Sequence, residues 1–233
     1  MSESAANGGL HLMSIMPRLI AEVLPKGEWA AAKSLDQALL QLKMTTDEFA
    51  SAVLLCRLTR TIPSQVGFPP TDEEMLMIQW PFIAARVGAL CLYDFYMGTQ
   101  AINKSLLGRC PSIIPMIDDA AKRKAQATFE KKFPEFGLAR QAAAHPGEIN
   151  ATPEKFQANL VSGPQESFPV ILDEGATAYV RGFHGDRYIV TMKGSHVGYD
   201  VTDASVANLN EVLGHWRDAF TPVETKLIEM FRQ

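Results

Sequence analysis

Apolar residues recur three or four positions apart in segment after segment of this chain, a period that fits helices packed on helices and fits strands poorly. The pattern is cleanest near the C-terminus, where Val206, Leu209, Leu213, Trp216, Phe220, Val223, Leu227 and Met230 alternate steps of three and four. This predicts a long helical seam, kinked at Pro222. Such a seam can cover a helical core and neighbouring strands, or pair with another copy as a coiled coil; covering the core is the favoured reading. Upstream, Ile113, Ile117, Ala121, Ala125, Phe129 and Phe133 step by four through a second predicted helix. Its basic residues Lys122, Arg123, Lys124, Lys131 and Lys132 fall on other faces.

Punctuation divides the rest. Pro17 and Pro25 bound a helical segment over residues 10–24, and Trp29, Ala32, Leu35, Leu39 and Leu42 mark an amphipathic helix over residues 28–43. Thr45 to Glu48 and Thr71 to Glu74 both have the spacing of a capping box, in which a Thr side chain and a Glu three residues later satisfy each other's free N–H groups. Each predicts a helix start. The first leads into the stripe Phe49, Ala52, Val53 and Cys56 and ends before Pro63; the second opens a long segment to Leu107, bent near Pro81. Residues 75–97 form the longest apolar stretch, but Gln79, Pro81, Arg86 and Asp94 interrupt it, so a central core helix is expected rather than a membrane span. Arg86 and Asp94, two turns apart, are expected to find ion-pair partners, more readily on another helix than in each other.

The period changes after residue 150. Residues 151–174 hold Pro153, Gly163, Pro164 and Pro169 with little periodicity and read as a connector with one short helical turn. Residues 177–183, 187–192 and 197–201 are β-rich and separated by Gly-containing turns at residues 184–186 and 193–195, the pattern of a three-stranded meander. The expected fold is mainly α: a helical bundle with a small three-stranded antiparallel β-meander and a C-terminal helix. In domain terms, residues 1–9 form a tail, 10–150 the bundle, 151–176 the connector, and 177–233 the meander and last helix packed on the bundle.

Composition bounds the function. A chain of 233 residues with 47% hydrophobic and 21% charged content supports one large domain with an appendage. A net charge of −4 argues against gripping nucleic acid over the whole surface and leaves room only for a local basic patch. Residues 1–9 lack the basic start and apolar core of a secretory signal, and Cys56, Cys91 and Cys110 are odd in number and widely spaced. These features predict a cytoplasmic protein with reduced thiols. His184, His196 and His215 show no zinc-type spacing with one another or with a cysteine, and no GxSxG, GxxxxGK[ST] or GxGxxG stretch occurs, so neither a metal nor a cofactor is expected.

The sharpest chemical feature is Arg140 to His145. Pro134 starts a short helix that carries Arg140 and is expected to stop at His145, because Pro146 disfavours helical geometry in the residue before it. A guanidinium binds phosphate through a fork of donors, and an imidazole exchanges protons near neutral pH. Five residues apart on an ideal helix, they point roughly 140° away from each other. One chain alone therefore makes a poor site. Unwinding at His145, or two copies meeting across a symmetry axis, would improve it. The same residues also suit a structural role, with Arg140 bonded to a carboxylate and His145 capping the last carbonyls of the helix.

Residues 136–148, with Arg140, Gln141 and His145 in the order Arg, polar, variable, His, resemble the HEPN superfamily of helical-bundle proteins, whose ribonuclease members carry that motif. The resemblance extends over the helices from about Glu28 to Glu148; the family's polar position most often holds Asn where this chain has Gln141. It implies metal-independent RNA cleavage by attack of the ribose 2′-hydroxyl on the adjacent phosphate, with a 2′,3′-cyclic phosphate product. In that scheme His145 is the general base or acid, Arg140 stabilises developing charge, Gln141 orients the RNA or the partner histidine, and Glu148 holds the imidazole in one tautomer. Lys131 and Lys132 supply phosphate contacts. The implied partners are RNA, a second copy of the chain and, in a toxin or defence setting, an antitoxin. A reading of another class is a noncatalytic helical interaction or oligomerisation module, with the C-terminal seam as its docking surface. A third is small-ligand binding in a closed apolar pocket between helices.

Overall fold

The computed structural model describes residues 15–61, 69–144, 147, 151–162, 177–178 and 181–233. Its architecture is mainly α, with a small three-stranded antiparallel sheet and a C-terminal helix. The α-helices are α1 (Trp29–Thr59), α2 (Asp72–Met77), α3 (Trp80–Ala101), α4 (Asp119–Lys132), α5 (Phe136–Ala144), α6 (Pro153–Asn159) and α7 (Asp203–Phe231).

Two expected helices merge in α1. Leu35, Leu39, Leu42, Phe49, Val53 and Cys56 are buried along one continuous face. The capping-box pattern at Thr45 to Glu48 therefore lies inside a helix and starts nothing. Thr45, the would-be cap, is buried in mid-helix and its hydroxyl accepts from Gln41 Nε2 at 3.4 Å, while Thr46 donates to Leu42 O at 2.8 Å, four residues back. The second box does start a helix. Thr71 N–H donates to Glu74 Oε2 at 2.7 Å, and Glu74 N–H donates to Thr71 Oγ1 at 3.2 Å, at the head of α2. The expected bend near Pro81 is a break: α2 ends at Met77, and Pro81 sits in the first turn of α3, where its missing N–H costs no hydrogen bond.

Other boundaries shift for local reasons. Among the described residues of the expected 10–24 helix only Ala21–Val23 is helical, as a single 3-10 turn. Its backbone is held from outside, with Leu19 N–H on Asp36 Oδ1 and Arg18 N–H on Glu224 Oε1, both at 2.9 Å. The helix read from Ile113 begins later, at Asp119: Asp118 accepts from the N–H groups of Ala120 and Ala121, while Pro111 and Pro115 hold the upstream residues in 3-10 geometry. Beyond α3 the chain passes through a π-helical turn, Ile102–Leu106.

Helix α7 buries Val206, Leu209, Leu213, Trp216, Phe220, Val223 and Leu227, and runs through Pro222 without interruption. Its partners are α1 and α4, and Asp118 N–H donates to Ala219 O at 3.0 Å beside them. The seam is core, part of the bundle itself. The connector contains α6 and strand β1 (Val161–Ser162), which pairs antiparallel with β2 (Thr177–Ala178). The first strand of the meander is thus shorter than expected: β3 (Arg181–His184), β4 (Arg187–Met192) and β5 (Ser195–Asp200) pair in sequence order. Between β4 and β5, Lys193 and Gly194 both adopt positive φ, 52° and 71°, the pair of signs a type I′ hairpin turn requires. Asn159 Oδ1 accepts from Lys193 N–H at 2.9 Å and ties α6 to that turn.

The sheet is locked to the helices at two points. Tyr199, on β5, donates its hydroxyl to Ala85 O of α3 at 2.7 Å. Glu135, between α4 and α5, accepts from Gly198 N–H at 2.8 Å and from Arg187 Nη2 at 2.7 Å. These contacts place the meander over α5 and one flank of α3.

Candidate functional site

Arg140 lies on α5, which presses against α3 through the small buried residues Ala139, Ala142 and Ala143. Its guanidinium stands over the ring of Tyr93 at 4.6 Å from the centroid. Tyr93 belongs to an aromatic cluster: Phe136 packs against Tyr96 at 4.6 Å and Phe129 at 5.1 Å, and Phe129 packs against Phe95. A half-buried cation on a ring face gains about 1 kcal/mol and is held in one orientation. Gln141 is exposed beside it, and Lys131 and Lys132 are exposed in the last turn of α4. His145 and Glu148 lie outside the described residues.

The remaining polar residues have structural surroundings. Arg86 and Asp94 do not pair: Asp94 is exposed, and Arg86 Nε is buried with no hydrogen-bond partner. Eight residues apart, they stand about 80° from each other around α3, with Arg86 nearly in line with Tyr93 on the α5 side. The three cysteines are free and buried. Burial pushes the thiol of Cys56 up to about 11 and that of Cys91 up to about 12, so neither is a nucleophile near neutral pH. His196 is pushed below the usual imidazole value, again by burial. Among the described residues no three His, Cys, Asp or Glu side chains gather as a metal site would require.

Two surface concavities flank the bundle. One, about 490 Å³, is lined by Arg57, Arg60, Thr61, Asp186 and Asp203 among others. Its charges are spent on each other in the pairs Arg57–Asp203 and Arg60–Asp186, and Arg60 also stacks on Phe183. It fastens β3 and the β3–β4 turn to the end of α1. The other is an apolar groove of about 390 Å³ between α1 and α3, lined by Asp47, Glu48, Ser51, Ala52, Leu55, Ile83, Ala84 and Val87.

That groove is the centre of a larger face. Along α3, Trp80, Ile83, Val87, Asp94, Met97 and Ala101 repeat by threes, fours and sevens on the side away from the core, bordered by Leu90, which is partly packed against the core; Trp80, Ile83, Val87 and Met97 are exposed. Along α1, Leu40, Met44, Leu55 and Leu58 form a matching exposed stripe, and Met75 and Leu76 extend the face onto α2. Leu76 is 68% exposed, Leu58 63% and Ile83 53%. The segment Asp72–Arg109 holds a window long and apolar enough to cross a membrane, of which 39% is buried. The expectation of a core helix therefore describes only one side of α3. A second apolar stripe on each helix was the available sequence signal for this face. No family model, curated protein or solved structure matches this chain.

Proposed function

We propose that the protein works as a noncatalytic helical interaction module whose docking surface is the outer face of α1 and α3. The observation that carries this reading is the exposure of Leu55, Leu58, Trp80, Ile83 and Val87 around a groove floored by Ala52 and Ala84. Isolated exposed apolar residues are ordinary on a protein surface; a cluster of them spanning two long helices, interrupted by Asp47, Glu48 and Ser51 on α1 and by Asp94 on α3, marks a site where something docks. A photo-crosslinking phenylalanine analogue at position 83, compared with the same analogue at exposed Lys124, tests it in cells. Adducts formed at position 83 above the control support docking; equal yields at both positions reject it.

A second reading, metal-independent RNA cleavage of the HEPN type with an antitoxin as regulatory partner, draws on Arg140. The cation is held in one orientation by Tyr93, with Gln141 exposed beside it. Incubation of wild type and His145→Ala with a mixed RNA pool in excess chelator tests this reading. Cyclic-phosphate ends produced by wild type alone support it, and intact RNA from the folded protein argues against it.

A further inference from the structure

Resting on the docking reading, we infer that the occupant of the α1–α3 face is a second copy of this chain, joined about a two-fold axis perpendicular to both helices. Area is the first reason. The exposed portions of Leu40, Met44, Leu55, Leu58, Trp80 and Ile83, with their apolar neighbours on α2 and α3, amount to roughly 1,000 Å² at about 200 Å² per fully exposed large side chain, against about 800 Å² per partner in a standard stable interface.

The second reason is that the face is complementary to itself. A two-fold interface uses one patch twice, so residue i of one copy meets residue j of the other and j meets i. On α1 an antiparallel pairing about the level of residues 49–50 sets Leu40 against the partner's Leu58, Met44 against Leu55, and Glu48 against Ser51. On α3 the pairing about residues 88–89 sets Trp80 against Met97 and Val87 against Leu90. The two centres lie at the same height: a methyl group added to Gly88 would touch Phe49, and one added to Gly98 would meet Leu42, which fixes the antiparallel alignment of α1 with α3. One axis therefore satisfies both helices.

Charge selects this axis over the alternative. The face ends in acidic residues at α2, Asp72, Glu73 and Glu74, and carries exposed Lys104 just beyond α3. An axis perpendicular to the helices brings Glu73 of one copy to the level of Lys104 of the other. An axis parallel to the helices would bring like ends together. The same acidic end disfavours an anionic lipid surface as the occupant. Two steps are mismatched: Ile83 faces Asp94, and at the centre of α1 Glu48 faces Ser51, which brings Asp47 and Glu48 of the two copies near each other.

Sedimentation velocity on the full chain from about 1 to 100 μM, at low and moderate salt, tests the dimer, with circular dichroism to verify folding of each variant. Wild type should sediment as a dimer, Leu55→Glu with Ile83→Glu as a folded monomer, and Asp94→Leu as a dimer at least about fivefold tighter. Lys104→Glu should weaken association severalfold at low salt, and Glu73→Lys in the same chain should restore it. A wild-type monomer throughout the range, a dimer indifferent to Leu55→Glu with Ile83→Glu, or no rescue by the charge exchange overturns the inference. The crosslinks at position 83 separate it from the reading beneath it. Adducts of twice the chain mass support both, adducts to other molecules alone overturn the second copy and leave docking standing, and yields no higher than at position 124 remove both.

Discussion

Gly88→Ala is the most informative single change to the core, because it sets helix propensity against packing at one atom. Gly88 lies on α3 opposite β5, and a methyl group there would overlap the hydroxyl oxygen of Tyr199, lie 3.1 Å from its Cζ and 3.5 Å from Phe49 Cε2. The ring cannot swing away easily, since it is 4% exposed and packed between Phe49 and Tyr188 at centroid distances of 5.9 and 6.4 Å. Overpacking of this kind costs about 1–3 kcal/mol. Displacing the hydroxyl from Ala85 O strands a buried donor, at about 1–3 kcal/mol. Against these stands a gain of about 1 kcal/mol from replacing glycine inside a helix. Packing wins, and the net loss is about 1–5 kcal/mol, centred near 3. Urea unfolding followed by far-UV circular dichroism and tryptophan fluorescence measures it. Tyr199→Phe alone should cost about 1 kcal/mol. Because it removes the atom that clashes, it should also make the double variant more stable than Gly88→Ala alone, with a coupling of about 1–3 kcal/mol. A Gly88→Ala protein as stable as wild type, or a double variant less stable than either single one, would refute the reasoning.

Glu135→Ala should cost about 1–3 kcal/mol and speed amide exchange at Gly198, because the carboxylate is the acceptor for that N–H and for Arg187; unchanged exchange at Gly198 would count against the clamp. The thiols of Cys56 and Cys91 are raised from an ordinary 9.0 to about 11 and about 12 by burial, so their contribution to stability is complete below about pH 9 and is lost as pH rises through the folded values; a unfolding midpoint that stays level from pH 8 to 11 would contradict this, as would thiol alkylation in the folded state at pH 8. His196, lowered by burial, works in the opposite direction: its contribution is complete above its ordinary value of 6.5 and declines as pH falls below it, a loss that His196→Gln should remove from a comparison of melting at pH 7.5 and 5.5. Tyr93→Leu should free Arg140 from its ring at a cost of about 1 kcal/mol beyond lost packing, read as the coupling in a cycle with Arg140→Ala; a coupling near zero would dismiss the stacking as incidental.

Helical content was legible because the signal is local. Thr71 and Glu74 predicted a helix start from their spacing, and the bonds between them are made. Thr45 to Glu48 has the same spacing and starts nothing, since a capping box competes with continuation of the helix and the buried stripe from Leu42 to Phe49 decides for continuation. The β-turns were readable from Gly185 and Gly194, whereas the small β1–β2 pair, two residues per strand, is too short to leave a periodic trace. For the candidate site, the sequence singled out Arg140 for its charge and its spacing from His145 but could not foresee that Tyr93, more than forty positions earlier, would be the surface under it.

What periodicity could not assign is which apolar stripe faces which. The stripe on α7 and the outer stripes of α1 and α3 have the same three-and-four spacing, and as sequence each is equally able to seek a partner. The fold breaks that equivalence. Helix α7 is taken into the bundle between α1 and α4, with Trp216 1% exposed and Leu227 fully buried. The seam that looked most like a coiled coil is thereby spent within one chain. Helix α3 meets α1 on one flank and α5 on another, and Tyr199 reaches Ala85 from the sheet, so its fourth side is left with no covering element among the described residues. Two helices with two apolar stripes each, and internal neighbours for only one stripe apiece, leave a residue of apolar surface at Leu55, Ile83 and Val87. Removing that surface from water is worth about 25 cal/mol for each Å² buried. That is the driving force available to the second copy.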